Sequence, residues 1–203
     1  MSFRRTFRGY GLVFLGFGMI SLGLALMLRS DLGMGSWGAF EQALAQLTGM
    51  TFGRISQLVG FSLVALAFFM RIPPTVVTLL NMIFIGLFAD WWLALIPAAH
   101  GLSGQVLLFT LGLIIYSFGI GGYLAVNLGA GPRDSMMLGL SRTTGMSMRA
   151  ARISVDVSLL VAAWLMRGPV GVGTAAMAFG SGPLVQFFFM RLRGPIRGWS
   201  GTA

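Results

Sequence analysis

Cysteine is absent from all 203 residues, so no disulfide, thiolate metal centre or cysteine nucleophile can be built. Lysine is absent too: the fourteen basic residues are all arginines, which removes the Ser-x-x-Lys pair. A single histidine, His100, excludes a multi-histidine metal site. Charge itself is scarce, at 9% of residues, where a soluble domain carries about 25%. No enzyme, cofactor or metal is expected from such an inventory.

What the chain has instead is apolar surface: 56% hydrophobic residues and a mean hydropathy of +0.85. That composition predicts an all-α integral membrane protein in contact with the lipid bilayer. The five acids (Asp31, Glu41, Asp90, Asp134, Asp156) leave a net charge of +9. Most arginines sit between or beyond apolar runs, so the excess reads as cytoplasmic-loop bias and not as a nucleic-acid surface. The apolar run from about 10 to 28 follows Arg4, Arg5 and Arg8 and resembles a signal peptide. It is too long for an h-region and lacks a small-x-small cleavage site, so it is kept as a first span.

Two similar interruptions organise the rest. Asp31-Leu32-Gly33-Met34-Gly35 recurs 96 residues later as Asn127-Leu128-Gly129-Ala130-Gly131, and in both places an apolar run stops at the glycines. At the same offset come Gly16/Gly112, Ser21/Ser117, Gly23/Gly119, Thr48/Thr144, Gly49/Gly145, Arg71/Arg167, Pro73/Pro169 and Gly86/Gly182. The identities reach roughly twenty in about eighty aligned positions, which points to an internal duplication. The expected layout is a single membrane domain over 1–203. Repeat 1 covers about 10–96, a linker 97–104, repeat 2 about 105–192 and a basic tail 193–203.

Each half is expected to hold three transmembrane helices, at about 10–28, 53–70 and 75–96, then 105–126, 150–166 and 171–190. After each hinge a short helix follows, at 36–48 and 132–144. Thirteen residues at 1.5 Å per residue reach roughly 20 Å, short of a core of about 30 Å, so these read as re-entrant or interfacial. Three spans per half make the repeats inverted; if the short helices cross, eight spans in parallel repeats result. With both termini cytoplasmic, the six-span layout leaves only Arg29, Arg54 and Arg167 outside, whereas the eight-span layout leaves Arg29, Arg71, Arg133 and Arg167 there. Arginine bias therefore supports cytoplasmic termini but hardly separates the two. Pro183, inside the last apolar run, is expected to break or kink it.

A helix that starts just after a glycine hinge turns unpaired N–H groups and the positive end of its dipole toward what lies in front. Such half-helices form substrate sites in inverted-repeat transporters. The substrate-binding candidates are therefore Asp31, Gly33, Gly35, Asn127, Gly129, Gly131, Arg133 and Asp134. Asp31 aligned with Asn127 would make a pseudo-symmetric site asymmetric, and Asp134 also suits a helix N-terminus. Arg152 and Asp156, four apart on one helical face, can pair. Asp90 and Glu41 have no partner nearby in sequence, and a lone carboxylate near lipid calls for a partner, a cavity or a proton role. Asp90, Arg152 and Asp156 are the coupling or gating candidates.

The order Leu128-Gly129-x-Gly131-Pro132-x-Asp134, Gly145-x-Ser147, Arg152-x-x-x-Asp156, Gly171-x-Gly173-Thr174 and Gly182-Pro183 is similar to the YczE/YitT-type bacterial integral membrane proteins. The resemblance is strongest in the second half; Ser36-Trp37-Gly38 stands where the motif has Pro-Arg-Asp. It implies a multi-pass protein of the bacterial inner membrane, in a family sometimes grouped with small-molecule exporters, and it supplies no catalytic residues. The expected function is a small-molecule transporter, working as an exporter, with its site between the repeats. The alternative is a non-transporting scaffold, regulator or substrate-binding subunit. The glycine-faced spans can pack within one chain or between copies, so a homo-oligomer stays open.

Overall fold

The computed structural model describes residues 3–129 and 131–200, with side chains for 9–129 and 131–196. These residues form eight helices and no strand: α1 (Phe3–Ser30), α2 (Ser36–Thr48), α3 (Phe52–Phe69), α4 (Val76–Leu95), α5 (Gly101–Val126), α6 (Pro132–Thr144), α7 (Met148–Leu165) and α8 (Val172–Ser200). Helices α6, α7 and α8 begin 96 residues after α2, α3 and α4. The stop signals keep the same spacing. Gly49 (φ 69°) and Gly145 (φ 72°) end α2 and α6 in left-handed C-caps, where a side chain would be strained. Thr51 then caps α3 by accepting the Arg54 N–H, and Ser147 caps α7 by accepting that of Ala150.

The centre is the crossing of α1 and α5. A Cβ at Gly23 would lie 2.6 Å from the Gly112 carbonyl oxygen, and one at Gly16 would lie 3.3 Å from that of Gly119. These glycines let the backbones touch, so dispersion contact is gained along the whole crossing. The earlier glycine of each helix faces the later one of the other, so α1 and α5 run antiparallel. Phe14 on Phe84, Trp92 Nε1 donating to the Gly18 carbonyl (3.3 Å) and Arg29 donating to the Leu93 carbonyl set α4 parallel to α1. Gly173 near Phe109, Gly180 near Leu113 and Gly121 against Phe188 set α8 parallel to α5.

Around this core the two groups of helices reach across one another: α2 packs on α7 and α3 on α6. The first hinge lies on the start of α8, where Met34 N–H donates to the Pro169 carbonyl (3.0 Å) and Gly173 N–H to that of Leu32 (2.7 Å). The second lies on the start of α4, with Gly129 (φ 151°) against Thr75.

One correspondence fails. Between α3 and α4 a Cβ on Gly53 would run into the Gly86 carbonyl oxygen. Asp90 accepts from Thr51 Oγ1 (2.5 Å) and from the Gly53 N–H (2.7 Å), closing the seam. Ninety-six residues on stand Arg149, Gly182 and Gln186. A Cβ on Gly182 would meet nothing within 4 Å, and α7 and α8 make no comparable seam.

One expected span falls short of the others on composition, and one expectation needs correction. Five helices are long and apolar enough to cross a membrane: α1 over Gly9–Ser30, α3, α4, α5, and α8 over Val172–Ile196. The sixth expected span, α7, has 18 residues but carries Arg149, Arg152 and Asp156 and is not among them. Nor does Pro183 break the last helix, since α8 continues through it and through Pro195 to Ser200. Proline there removes one backbone hydrogen bond, which a long helix tolerates. The segment expected as a basic tail from 193 is helical to Ser200 for the same reason.

Candidate functional site

A cavity of about 690 Å³ lies at the centre, and all eight helices contribute to its wall. Much of that wall is apolar, including Ile20, Leu24, Leu63, Met82, Ile120 and Val185. Its polar groups gather around the first turn of α6. Pro132 at the helix start and the Gly131 N-cap bring Arg133 and Asp134 into the cavity. Arg133 Nη2 donates to Glu41 Oε1 of α2 at 2.6 Å, and the guanidinium lies over the Trp37 ring, 5.0 Å from its centroid.

Trp37 and Glu41 are one helical turn apart on α2, so they address Arg133 together. The stacked, charge-assisted arrangement holds the guanidinium in one orientation. The pair is unequally placed: the Glu41 side chain is 1% exposed and the Arg133 side chain 31%. Glu41 Oε2 is buried and has no hydrogen-bond partner. Beside the pair, Asp134 Oδ2, the Tyr123 hydroxyl and the Asn81 amide lie 3.7 to 3.9 Å from where a Gly131 side chain would begin. Tyr116 and Tyr123, seven residues apart on α5, face the same space.

Of the residues singled out in the sequence, Gly131, Arg133, Asp134 and Arg152 line this cavity. Asp156 stands behind it, accepting from Ser36 Oγ at 2.6 Å and lying 3.9 Å from Arg152 Nε. The others lie elsewhere. Gly33 packs on Gly171 and Thr174, and Gly35 N–H points at the Met177 sulfur. Asn127 caps α5 in the left-handed conformation (φ 57°). Asp31 and Asp90 line a shallower depression with Arg29, Gln42, Gln46 and Gln105.

The hinges therefore do not form one site. Because α1 and α5 are antiparallel, their C-terminal ends point opposite ways, and Asp31 cannot approach Asn127. What meets in the middle is the side chains of the short helices. Sequence reading missed Trp37, Asn81, Tyr116, Tyr123 and Gln186, and it left Glu41 as a carboxylate in search of a partner. One signal was available: the 96-residue offset sets Trp37 opposite Arg133 and Glu41 opposite Met137, and all four line the cavity.

The sequence matches the family described as "Family of unknown function (DUF6198)" over residues 7–190. It is 37% identical to the "Uncharacterized membrane protein YczE" of Bacillus subtilis, over 91% of this chain and 84% of that protein. An "Uncharacterized protein" of Haemophilus influenzae is 31% identical over 82% of this chain and 76% of its own length. "Uncharacterized protein YyaS" of Bacillus subtilis is 26% identical over 82% and 85%. No solved structure matches. With its apolar helices and bacterial relatives, the chain is a multi-pass membrane protein.

Proposed function

This chain belongs to the DUF6198 family, and from its geometry we propose that it is a small-molecule transporter that works by alternating access between two inverted repeats. The observation that carries the proposal is the central cavity, walled by both groups of helices, with Arg133 of one short helix held by Glu41 and Trp37 of the other.

Helix direction supports the inversion. For α5 to run against α1, an even number of the intervening helices must cross, and α3 and α4 are the two long apolar ones. For α8 to run parallel to α5, one of α6 and α7 must cross. α6 has only 13 residues, so α7 takes that role in spite of its charges. They lie in its first half: Arg149 in the first turn, Arg152 on the cavity and Asp156 against Ser36 of α2, where a charged side chain in a membrane is tolerated. Six crossings with cytoplasmic termini follow, and α2 and α6 are re-entrant.

The unequal seams support alternating access. In this state α3–α4 is shut by Gly53, Gly86 and Asp90, while α7–α8 is parted. The parted end is the arginine-rich one, the cytoplasmic side under the six-crossing layout, so the cavity loads from inside, as an exporter requires. A two-state exchange of the seams would carry the cavity to the other side.

The test is flux. Purified protein in liposomes is loaded with a panel of radiolabelled monocarboxylates, amino acids, sugars and lipophilic amines, and efflux is compared with that of Arg133→Gln and Asp134→Asn. Saturable efflux of one class, reduced by either substitution, is expected. No protein-dependent efflux across the panel would leave the scaffold reading standing.

A further inference from the structure

The charge pair at the cavity centre also says what kind of substrate fits, given that the cavity is a transport site. A buried ion pair is tolerated because each partner neutralises the other, and taking one away leaves the remaining charge stranded. The two partners differ in what they can then do. A carboxylate can take up a proton, whereas a guanidinium cannot lose one in a protein. A ligand that replaced Arg133 on Glu41 would strand a permanent cation. A ligand that replaced Glu41 on Arg133 would strand a carboxylate that protonates.

Access agrees with that chemistry. Arg133 is the partner a molecule in the cavity can reach, at 31% exposure against 1% for Glu41. One of its donors is committed to Glu41, and its seat over Trp37 at the start of α6 pre-orients the rest. Glu41 is already half-satisfied, with Oε2 buried and unpartnered. The titratable groups that share the cavity are Asp134 of α6, Tyr116 and Tyr123 of α5 and Arg152 of α7. Asp156 of α7 is engaged by Ser36 and Arg152, and α3, α4 and α8 bring no charge to the wall.

We infer that the cavity binds an organic anion with an apolar body, its acidic head replacing Glu41 on Arg133, and that each anion enters together with one proton taken up by Glu41. The exchange is balanced: one Arg133–Glu41 ion pair breaks, one Arg133–anion pair forms, and a proton from water on the open side bonds to the Glu41 carboxylate. Charge in the cavity is unchanged. The apolar lining takes the body of the molecule, and 690 Å³ accommodates a fused bicyclic ring.

The experiment uses naphthalene-1-sulfonate, which stays ionised and so cannot itself carry the proton, with benzyltrimethylammonium as the cationic counterpart. Binding to the purified full chain in detergent is followed by tryptophan fluorescence, and proton uptake by an indicator dye in weak buffer. Sulfonate binding with uptake of about one proton is expected, and affinity should fall about tenfold per pH unit where Glu41 is ionised in the free protein.

Glu41→Gln, close in shape, should bind sulfonate with neither proton uptake nor pH dependence; Arg133→Gln should not bind it. Circular dichroism and gel filtration confirm that both variants are folded. The inference is overturned if benzyltrimethylammonium binds in preference, or if proton uptake persists in Glu41→Gln. Coupled sulfonate binding without liposome flux would reject transport and keep this inference. Flux of sugars or amines without sulfonate binding would do the reverse.

Discussion

Cutting the Asp90 latch should release the α3–α4 seam. Asp90 accepts two hydrogen bonds across that seam, from Thr51 Oγ1 and from the Gly53 N–H. Each is charge-assisted, worth about 1.5–3 kcal/mol where shielded. The Thr51 contact is exposed to solvent, so its share falls toward zero, and the pair together contributes about 2–3 kcal/mol. At 1.4 kcal/mol per tenfold, Asp90→Ala should move the balance between shut and parted α3–α4 by roughly 30- to 140-fold. The absence of cysteine makes the chain ready for spin labelling at introduced cysteines.

One pair, Leu58→Cys with Trp91→Cys, spans the shut seam near its end; its counterpart 96 residues on, Ser154→Cys with Phe187→Cys, spans the parted one. All four positions are exposed on the helix surface. Pulsed electron resonance should give a short distance across α3–α4 and a longer one across α7–α8 in the parent. In Asp90→Ala a second population should appear, with the first distance lengthened and the second shortened. If both seams move the same way, or neither moves, the exchange of seams is refuted. A converse experiment installs the latch on the other side: Arg149→Gly with Gln186→Asp, using Ser147 in the place of Thr51, should shorten the Ser154–Phe187 distance.

Three further outcomes follow from the packing. Gly23→Ala forces a Cβ to 2.6 Å from the Gly112 oxygen and should cost about 1–3 kcal/mol, seen as a lower thermal midpoint in detergent; Gly18→Ala, which meets nothing within 4 Å, should not lower it. Gly49→Ala and Gly145→Ala have open space but φ near +70°, so each should lose about 1 kcal/mol of stability through backbone strain alone, and by a similar amount. A membrane-impermeant maleimide applied to intact cells should label His100→Cys but neither Met146→Cys nor Pro73→Cys; labelling of Pro73→Cys in place of His100→Cys would return the eight-crossing layout.

Much of the fold was legible because membranes limit what a chain can do. The stops at Gly49 and Gly145 and the break at Arg71-Ile72-Pro73-Pro74 sit within a residue or two of the helix ends found. Local rules suffice there, since a left-handed glycine or an X-Pro step ends a helix whatever surrounds it. The site was legible only in part. Arg133 and Asp134 declared themselves by following a glycine hinge at a helix start. Glu41 stood out as a carboxylate without a partner, but its partner lies 92 residues away on another helix. Asp31 and Asn127 misled because matching positions suggest a shared place, and the antiparallel course of α1 and α5 sends their matching ends apart.

By itself, then, the sequence determined that the chain is an all-α membrane protein, where most of its helices start and stop, and that an order of elements recurs at 96 residues. These follow from hydropathy and backbone preference, which act over a few residues and need no partner. Only the tertiary structure decided that α1 and α5 cross antiparallel, that Glu41 and Trp37 hold Arg133 in a cavity, and that Asp90 shuts one seam while its counterpart stands open. Each depends on which distant surfaces can touch. The choice between glycine at 53 and arginine at 149 is invisible as a closed or open seam until a second helix is brought against it.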